Sequence, residues 1–247
     1  AFVRFFENVS QEELEQFVAD FGPFEGLGGY GYAPLVYAED MDEYVARVRE
    51  SEPGYQVFGV DAEGNRRPVE PRPQYAPLEV FAPPEAFGVP PRGLDIMSEP
   101  VRRAAVQELE RTHAIAVTPF LQMLGQPNAD GFLIFGPVVG GDGTVRGVVT
   151  APIDLSLLLE AQIPNELHGL FTWVLTDLAE PSTIGTALTA EHVVFEDLVT
   201  VGTRVWRVQV AAIHPPGTQG IFDSGFSLPI GVTGSMISAL LVVLCLQ

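Results

Sequence analysis

Few side chains in this sequence are placed to do chemistry. Asp95 stands between Leu94 and Ile96, an acid inside an apolar stretch. A carboxylate buried there needs hydrogen-bond donors, either backbone amides or a bound molecule. Two readings are open: Asp95 contacts a ligand, or it caps the helix that begins near Ser98 and bonds its own turn. Thr118 and Thr150 are hydroxyls among apolar neighbours. Tyr75 and Phe135 sit on apolar strand-like runs, where an aromatic packs a core or lines a pocket. Arg102 and Arg103 read as surface or ion-paired residues, one of them suited to hold the loop that carries Asp95.

Composition excludes several chemistries. The 247 residues contain 32 Asp plus Glu against 13 basic residues, all arginine, for a net charge of −19. Without lysine there is no Walker A loop, Schiff base or lysine general base. One cysteine allows neither an internal disulfide nor a cysteine-rich zinc site. The four histidines, at 113, 168, 192 and 214, have no metal-ligand spacing. No cofactor is expected. So acidic a chain is a poor partner for nucleic acid. Gly26 to Gly31 satisfies GxGxxG but precedes a strand, so it fails the strand-to-helix context of a dinucleotide fold. No nucleophile and base stand at a catalytic spacing, so the chain does not read as an enzyme.

The elements that must position these residues are legible as periodic segments. Ser10 and Glu13 form a capping box before a helix with Leu14, Phe17, Val18 and Phe21 on one face. A strand is expected over 30–37. Asp40 and Glu43 suggest a second capping box before the helix DEYVARVRES. A hairpin turns at Asp61–Asn65, and a further strand covers 74–81. The tetrapeptide Tyr-Ala-Pro-Leu at 32–35 and 75–78 suggests two paired strand edges, where proline needs no ladder donor. Ser98 is the expected N-cap of the helix VRRAAVQELERTH, with Pro100 in its first turn. Two long strands meet at GGDGT, and Asp154 caps the helix after them. Beyond residue 165 come FTWVLTDL and two strands around Gly202. Strands joined by hairpins make this an α+β fold with antiparallel sheets.

No charged residue follows Asp223. Leu228–Gln247 is apolar over nearly the length needed to cross a bilayer, about 20 residues. It reads as the start of an incomplete transmembrane helix. Gly231, Ser235 and Ala239 give it a small-residue face suited to helix pairing.

These segments together resemble the CHASE domain, the extracytoplasmic sensor of transmembrane histidine kinases and nucleotide cyclases. The most specific block is GLDIMSEPVRRAAVQELERTHAIAVTPF, which resembles the family's G-x-Asp-x-x-Ser-x-x-x-Arg-x-x-Ala followed by Thr-Pro. SQEELEQFVADF, QYAPLEVFAP and the GGDGT hairpin follow in the family's order. The resemblance implies a stalk helix and two PAS-like modules, the first binding ligand, in a homodimer anchored in the membrane. It places Asp95 on a small, purine-like ligand, as in plant members, and backbone contacts near Val117 beside Thr118. Strands near Val117, Phe135 and Thr150 close the pocket, with Tyr75 at its edge.

The expected organisation is a truncated stalk helix at 1–22, a ligand-binding module at 23–160, a second module at 161–227 and the membrane helix at 228–247. The expected function is small-molecule sensing outside the cytoplasm, at the cell membrane. The alternative is a ligand-free structural or dimerisation ectodomain. The acidic surface favours a neutral or cationic ligand unless an arginine turns inward.

Overall fold

The first helix, α1 (Gln11–Phe21), starts as its capping box requires. Ser10 Oγ accepts from Glu13 N at 3.2 Å, and Glu13 accepts from Ser10 N at 2.9 Å. A computed structural model describes residues 10–21, 26–61, 64–82, 91–123, 130–162, 169–180, 182–186, 188 and 193–213. Leu14 is fully buried, while the side chains of Phe17 and Phe21 lie outside the described set. The apolar run 228–247 also lies outside it. No helix among the described residues is long and apolar enough to cross a membrane.

The run at 30–37 forms two strands, β1 (Tyr30–Pro34) and β2 (Val36–Tyr37), which enter different sheets. A 3-10 turn, Ala38–Asp40, then leads into α2 (Met41–Ser51). The expected capping box at Asp40 does not form. Asp40 has helical backbone angles and makes no side-chain cap bond, because the 3-10 turn already supplies the helical entry. The hairpin β3 (Gly59–Val60) and β4 (Arg66–Arg67) closes where expected, with Asn65 N donating to Asp61 at 2.7 Å.

The expected strand at 74–81 also splits. β5 (Gln74–Tyr75) pairs with β2, whereas β6 (Val80–Ala82) pairs with β1. The two Tyr-Ala-Pro-Leu segments therefore do not pair with each other. Pro34 lies where β1 has only one neighbour, and Pro77 makes an isolated bridge to Asp95.

A second 3-10 turn, Ile96–Ser98, precedes α3 (Pro100–Thr112). The N-cap of α3 is Glu99, one residue later than expected. Its carboxylate accepts from Val101 N and Arg102 N, both at 2.9 Å. The reason is Pro100, whose ring pushes the preceding residue out of the helical region and makes Glu99 the flanking, extended residue. Ser98 Oγ instead accepts from Val60 N. Next come β7 (Ala116–Val117), β8 (Leu121–Gln122) and the long hairpin of β9 (Asp130–Val139) and β10 (Val145–Asp154). In its turn Asp142 accepts from Thr144 N and Oγ1, bonds that hold its carboxyl down at about 2. Asp154 caps α4 (Leu155–Gln162), accepting from Leu157 N at 3.0 Å.

A mixed α/β architecture results, with every strand-to-strand pairing antiparallel. The central sheet runs β6-β1-β10-β9-β7, with β8 also on β9. A second sheet runs β12-β11-β14-β13, from β11 (Phe171–Asp177), β12 (Ser182–Gly185), β13 (Val193–Val201) and β14 (Arg204–Ala212). The short strand β12 carries no clear sequence pattern. One face of the central sheet packs against α3 and the 3-10 turn before it. On the opposite face, Tyr30, Val80 and Ala151 cluster with Leu14 of α1. Phe132 and Ile153 of the hairpin pack with Leu155 and Leu158 of α4 and with Trp206 of the second sheet.

Candidate functional site

Gly93 starts the loop that carries Asp95. It adopts φ +84°, and a Cβ there would lie 2.1 Å from the Gln56 carbonyl oxygen, so a side chain is excluded. The strand-like segment that follows is held on both sides. Asp95 N donates to Phe58 O and Ile96 N to Ala76 O.

Asp95 itself is fully buried, at 0% exposure. Its Oδ1 accepts from Ala76 N at 2.9 Å and from Met97 N at 3.1 Å. Its Oδ2 takes an ion pair from Arg72. A carboxylate has about four acceptor positions, and these three donors, all from the protein, fill most of them. The residue thus caps its own 3-10 turn and clamps the turn to Arg72 and Ala76, which flank β5.

Tyr75 belongs to the same cluster. Its hydroxyl accepts from Arg72 N at 2.9 Å, and the Arg72 guanidinium lies over its ring at 5.1 Å from the centroid. Burial and the nearby Arg103 pull the Arg72 guanidinium below its usual range. Arg103 donates to Met97 O and holds the turn from the side of α3. Arg102 is not exposed, and it makes no ion pair among the described residues. It is buried, its Nε has no partner among the described residues, and burial lowers its guanidinium to about 10.

Facing this loop is one row of the central sheet. Cross-strand register aligns Phe81, Gly31, Thr150, Phe135 and Ala116 on one face. Gly31 keeps the row flat, since a Cβ there would meet Leu78 and Phe81 side-chain atoms at 2.7 and 2.9 Å. Phe135 is fully buried and clusters with Ala76, Ile96 and Met97 of the loop. Thr150 is the polar member of the row, and its buried hydroxyl has no partner among the described residues.

Two separate groups of expected site residues therefore meet across one apolar cluster. Asp95 and Tyr75 are joined through Arg72, while Phe135 and Thr150 sit side by side on the sheet. Thr118 is fully buried with both its polar groups committed to Leu133: N donates to Leu133 O, and Oγ1 accepts from Leu133 N. Val117 turns away. Its side chain joins the core that contains Trp206.

A family model described as the CHASE domain matches residues 7–190. The chain belongs to the CHASE domain family. It is a sensory domain, and the family places it on the extracytoplasmic side of a membrane receptor. Among solved structures, it is similar to the periplasmic sensory domain of a Campylobacter jejuni chemoreceptor, at 14% identity and a TM-score of 0.45. That match covers 85% of this chain and 82% of the other. An extracellular ligand binding receptor from Desulfohalobium retbaense matches at 17% identity and a TM-score of 0.36, over 70% of this chain and 36% of the receptor. No curated protein matches the chain.

Sequence reasoning about this CHASE domain missed Arg72. Arg72 and Asp95 are 23 residues apart in different segments, and no spacing rule links them. The usable signal was indirect: a buried acid in a lysine-free chain must take a permanently cationic partner from arginine. Among the described residues, no group of three or more His, Cys, Asp or Glu could hold a metal ion.

Proposed function

We propose that this CHASE domain binds a small, neutral, polar heterocycle of purine type. The ligand sits between the Asp95 turn and the Phe135–Thr150 row of the central sheet. The observation that carries the reading is a buried polar atom beside an apolar cluster that also packs the Asp95 turn: the hydroxyl of Thr150, unpartnered among the described residues. Such a ligand would offer a donor to Asp95, an acceptor to Thr150, and a flat face to Phe135. The Arg72 ion pair neutralises Asp95, so the ligand class narrows from neutral or cationic to neutral. Thr118 and Tyr75 shape the walls, and Val117 borders the site only as part of β7, its carbonyl being taken by Arg204.

In this proposal the domain is the outer part of a transmembrane receptor of the histidine kinase or nucleotide cyclase type. It forms a homodimer and is anchored through 228–247. The central sheet supports a PAS-like reading of the first module, 23–160. Leaving aside the short β8, the other five of its six strands, numbered by appearance, lie in the order 2-1-5-4-3. The second sheet, ordered 2-1-4-3, supports a smaller related module within 161–227. Helix α1 is then the end of the stalk at 1–22. Ligand binding would act by shifting a population between two dimer arrangements.

The test is calorimetry with adenine and related purines on the wild type and on Asp95→Asn and Thr150→Val. Weaker binding by both variants is expected. Unchanged affinity would remove the residue concerned from the site. A second reading is a ligand-free structural ectodomain. It is favoured by the filling of the same face with Ile96, Met97 and Phe135, all buried. Absence of heat with every purine, together with an unchanged melting temperature, would select it.

A further inference from the structure

We infer that Arg204 is a positioning residue that latches the central sheet to the second sheet through the backbone of Val117. The latch stands on its own geometry and takes from the sensor reading only its consequence.

Strand β7 ends the central sheet, so one side of its backbone has no strand neighbour among the described residues. An edge carbonyl of this kind needs a donor from elsewhere. Arg204 supplies it, with Nε donating to Val117 O at 3.0 Å. The same guanidinium makes an ion pair through Nη1 with Asp177, a fully buried carboxylate at the end of β11. Asp177 is itself anchored, its Oδ1 accepting from Ala179 N at 2.9 Å. One planar group thereby joins β14, β11 and β7.

A separate contact seats the same joint. The turn between β13 and β14 presses Gly202 onto β7. Its φ is +54°, and a Cβ there would lie 2.7 Å from Val117 Cγ2 and 3.3 Å from the Ile115 carbonyl oxygen. Only glycine permits this approach. Beside the joint, a cleft of about 440 Å³ opens between α3 and the second sheet, with Arg204 and Val117 both in its wall. The joint is therefore bordered by open space on one side, while the shared apolar core that includes Val117 and Trp206 packs it on the other.

The consequence follows from register. Val117 pairs with Ile134, the neighbour of Phe135 on β9. A ligand that moved the Phe135–Thr150 row would move β7, and the Arg204 bond would carry that displacement to β14. Lysine could not replace Arg204, because a single ammonium lacks the fork that reaches a carbonyl and a carboxylate together.

The experiment is amide hydrogen exchange on the whole 247-residue chain, as wild type, Arg204→Lys and Asp177→Asn. Thr118 N, which donates to Leu133 O, reports on β7. In Arg204→Lys its exchange should quicken about tenfold, the size of one lost charge-assisted hydrogen bond. The amides of β14 should change less than Thr118. In Asp177→Asn the order reverses, with the β11 and β14 amides losing more protection than Thr118. Unchanged Thr118 exchange in Arg204→Lys would overturn the latch. So would equal loss across β7, β11 and β14, the mark of a residue that merely stabilises the second sheet. Should Arg204→Lys not fold, the wild type still decides. A scalar coupling between Arg204 Nε and the Val117 carbonyl carbon is expected, and its absence overturns the proposal. Purine added to the wild type separates the two readings. Binding without any change at Thr118 would overturn the latch as a transmitter, whereas failure of every purine to bind would count against the ligand and not against the exchange result.

Discussion

Asp95→Ala is the most informative single substitution, because Asp95 has both a structural and a proposed binding role. It removes three hydrogen-bonded acceptor contacts at a site with no solvent access. Arg72 is left without its ion-pair partner, at a cost of about 3–5 kcal/mol. The Ala76 and Met97 amides add roughly 1–3 kcal/mol where no water reaches them. Taking about 4 kcal/mol, the low end of that sum, and about 2–4 °C per kcal/mol for a chain of this size, the melting temperature falls by at least about 8–16 °C. Differential scanning calorimetry of the domain measures it. Arg72→Ala and the double variant complete a cycle. If the pair is the main interaction, the double variant costs less than the sum of the singles by about 1–3 kcal/mol. A melting temperature within about 2 °C of wild type for Asp95→Ala would refute the reasoning. So would additivity within about 0.5 kcal/mol, since the two residues would then not be partners. Such destabilisation is also why Asp95→Asn, which keeps an oxygen for the two amides, is the better probe of ligand contact.

Further outcomes are expected elsewhere in the molecule. Gly31→Ala places a methyl against Leu78 and Phe81. It should destabilise by about 1–3 kcal/mol in denaturant titrations, with unchanged stability showing that the row has room. Gln11 clamps the edge strand β6 by donating to Phe81 O at 2.6 Å and accepting from Phe81 N at 3.0 Å. Gln11→Ala should therefore speed exchange of the Phe81 amide, about fivefold for a lost hydrogen bond of ordinary strength. Exchange at the wild-type rate would show that the clamp is not maintained in solution. Tyr44 and Tyr55 share a buried hydrogen bond of 2.7 Å. Burial raises both, Tyr55 to about 12 and Tyr44 further. A folded value above the unfolded one, about 10, means that the unfolded chain ionises first. The contribution is thus full below pH 10 and falls as the pH rises from 10, through about 12 for Tyr55 and beyond it for Tyr44, at up to about 1.4 kcal/mol per pH unit for each tyrosine. Arg102, lowered to about 10, works in the opposite direction over this range. The comparison is therefore wild type against Tyr44→Phe plus Tyr55→Phe, whose stability should fall less steeply. Parallel curves would exclude the pair as the cause.

Local signals were reliable where the physics is local. The Ser10–Glu13 box, the Asp61 turn, the GGDGT hairpin and the Asp154 cap all involve groups within five residues of one another. Their hydrogen bonds form as the sequence implies. Errors arose where two local rules competed. Ser98 is a good cap by type, but Pro100 fixes the entry to α3 and hands the role to Glu99. The apolar runs at 30–37 and 74–81 have strand periodicity throughout. Each is nevertheless cut in two, because its halves pair with different partners, and periodicity does not encode pairing.

The sequence by itself determined the class of the protein: an acidic, lysine-free α+β chain with the Gly93–Asp95 block and its following helix in the order of the CHASE family. It also singled out Asp95 as an acid that would need donors. Only the tertiary structure decided which donors. Arg72 and the amides of Ala76 and Met97 converge on one carboxylate through segments 19–23 residues away and through its own turn. Val117 was likewise visible as a strand residue, but not as the carbonyl that Arg204 holds from 87 residues away. Burial accounts for the difference. A charge taken out of water must find its partner in space, and nothing in the spacing of residues along a chain records who that partner is.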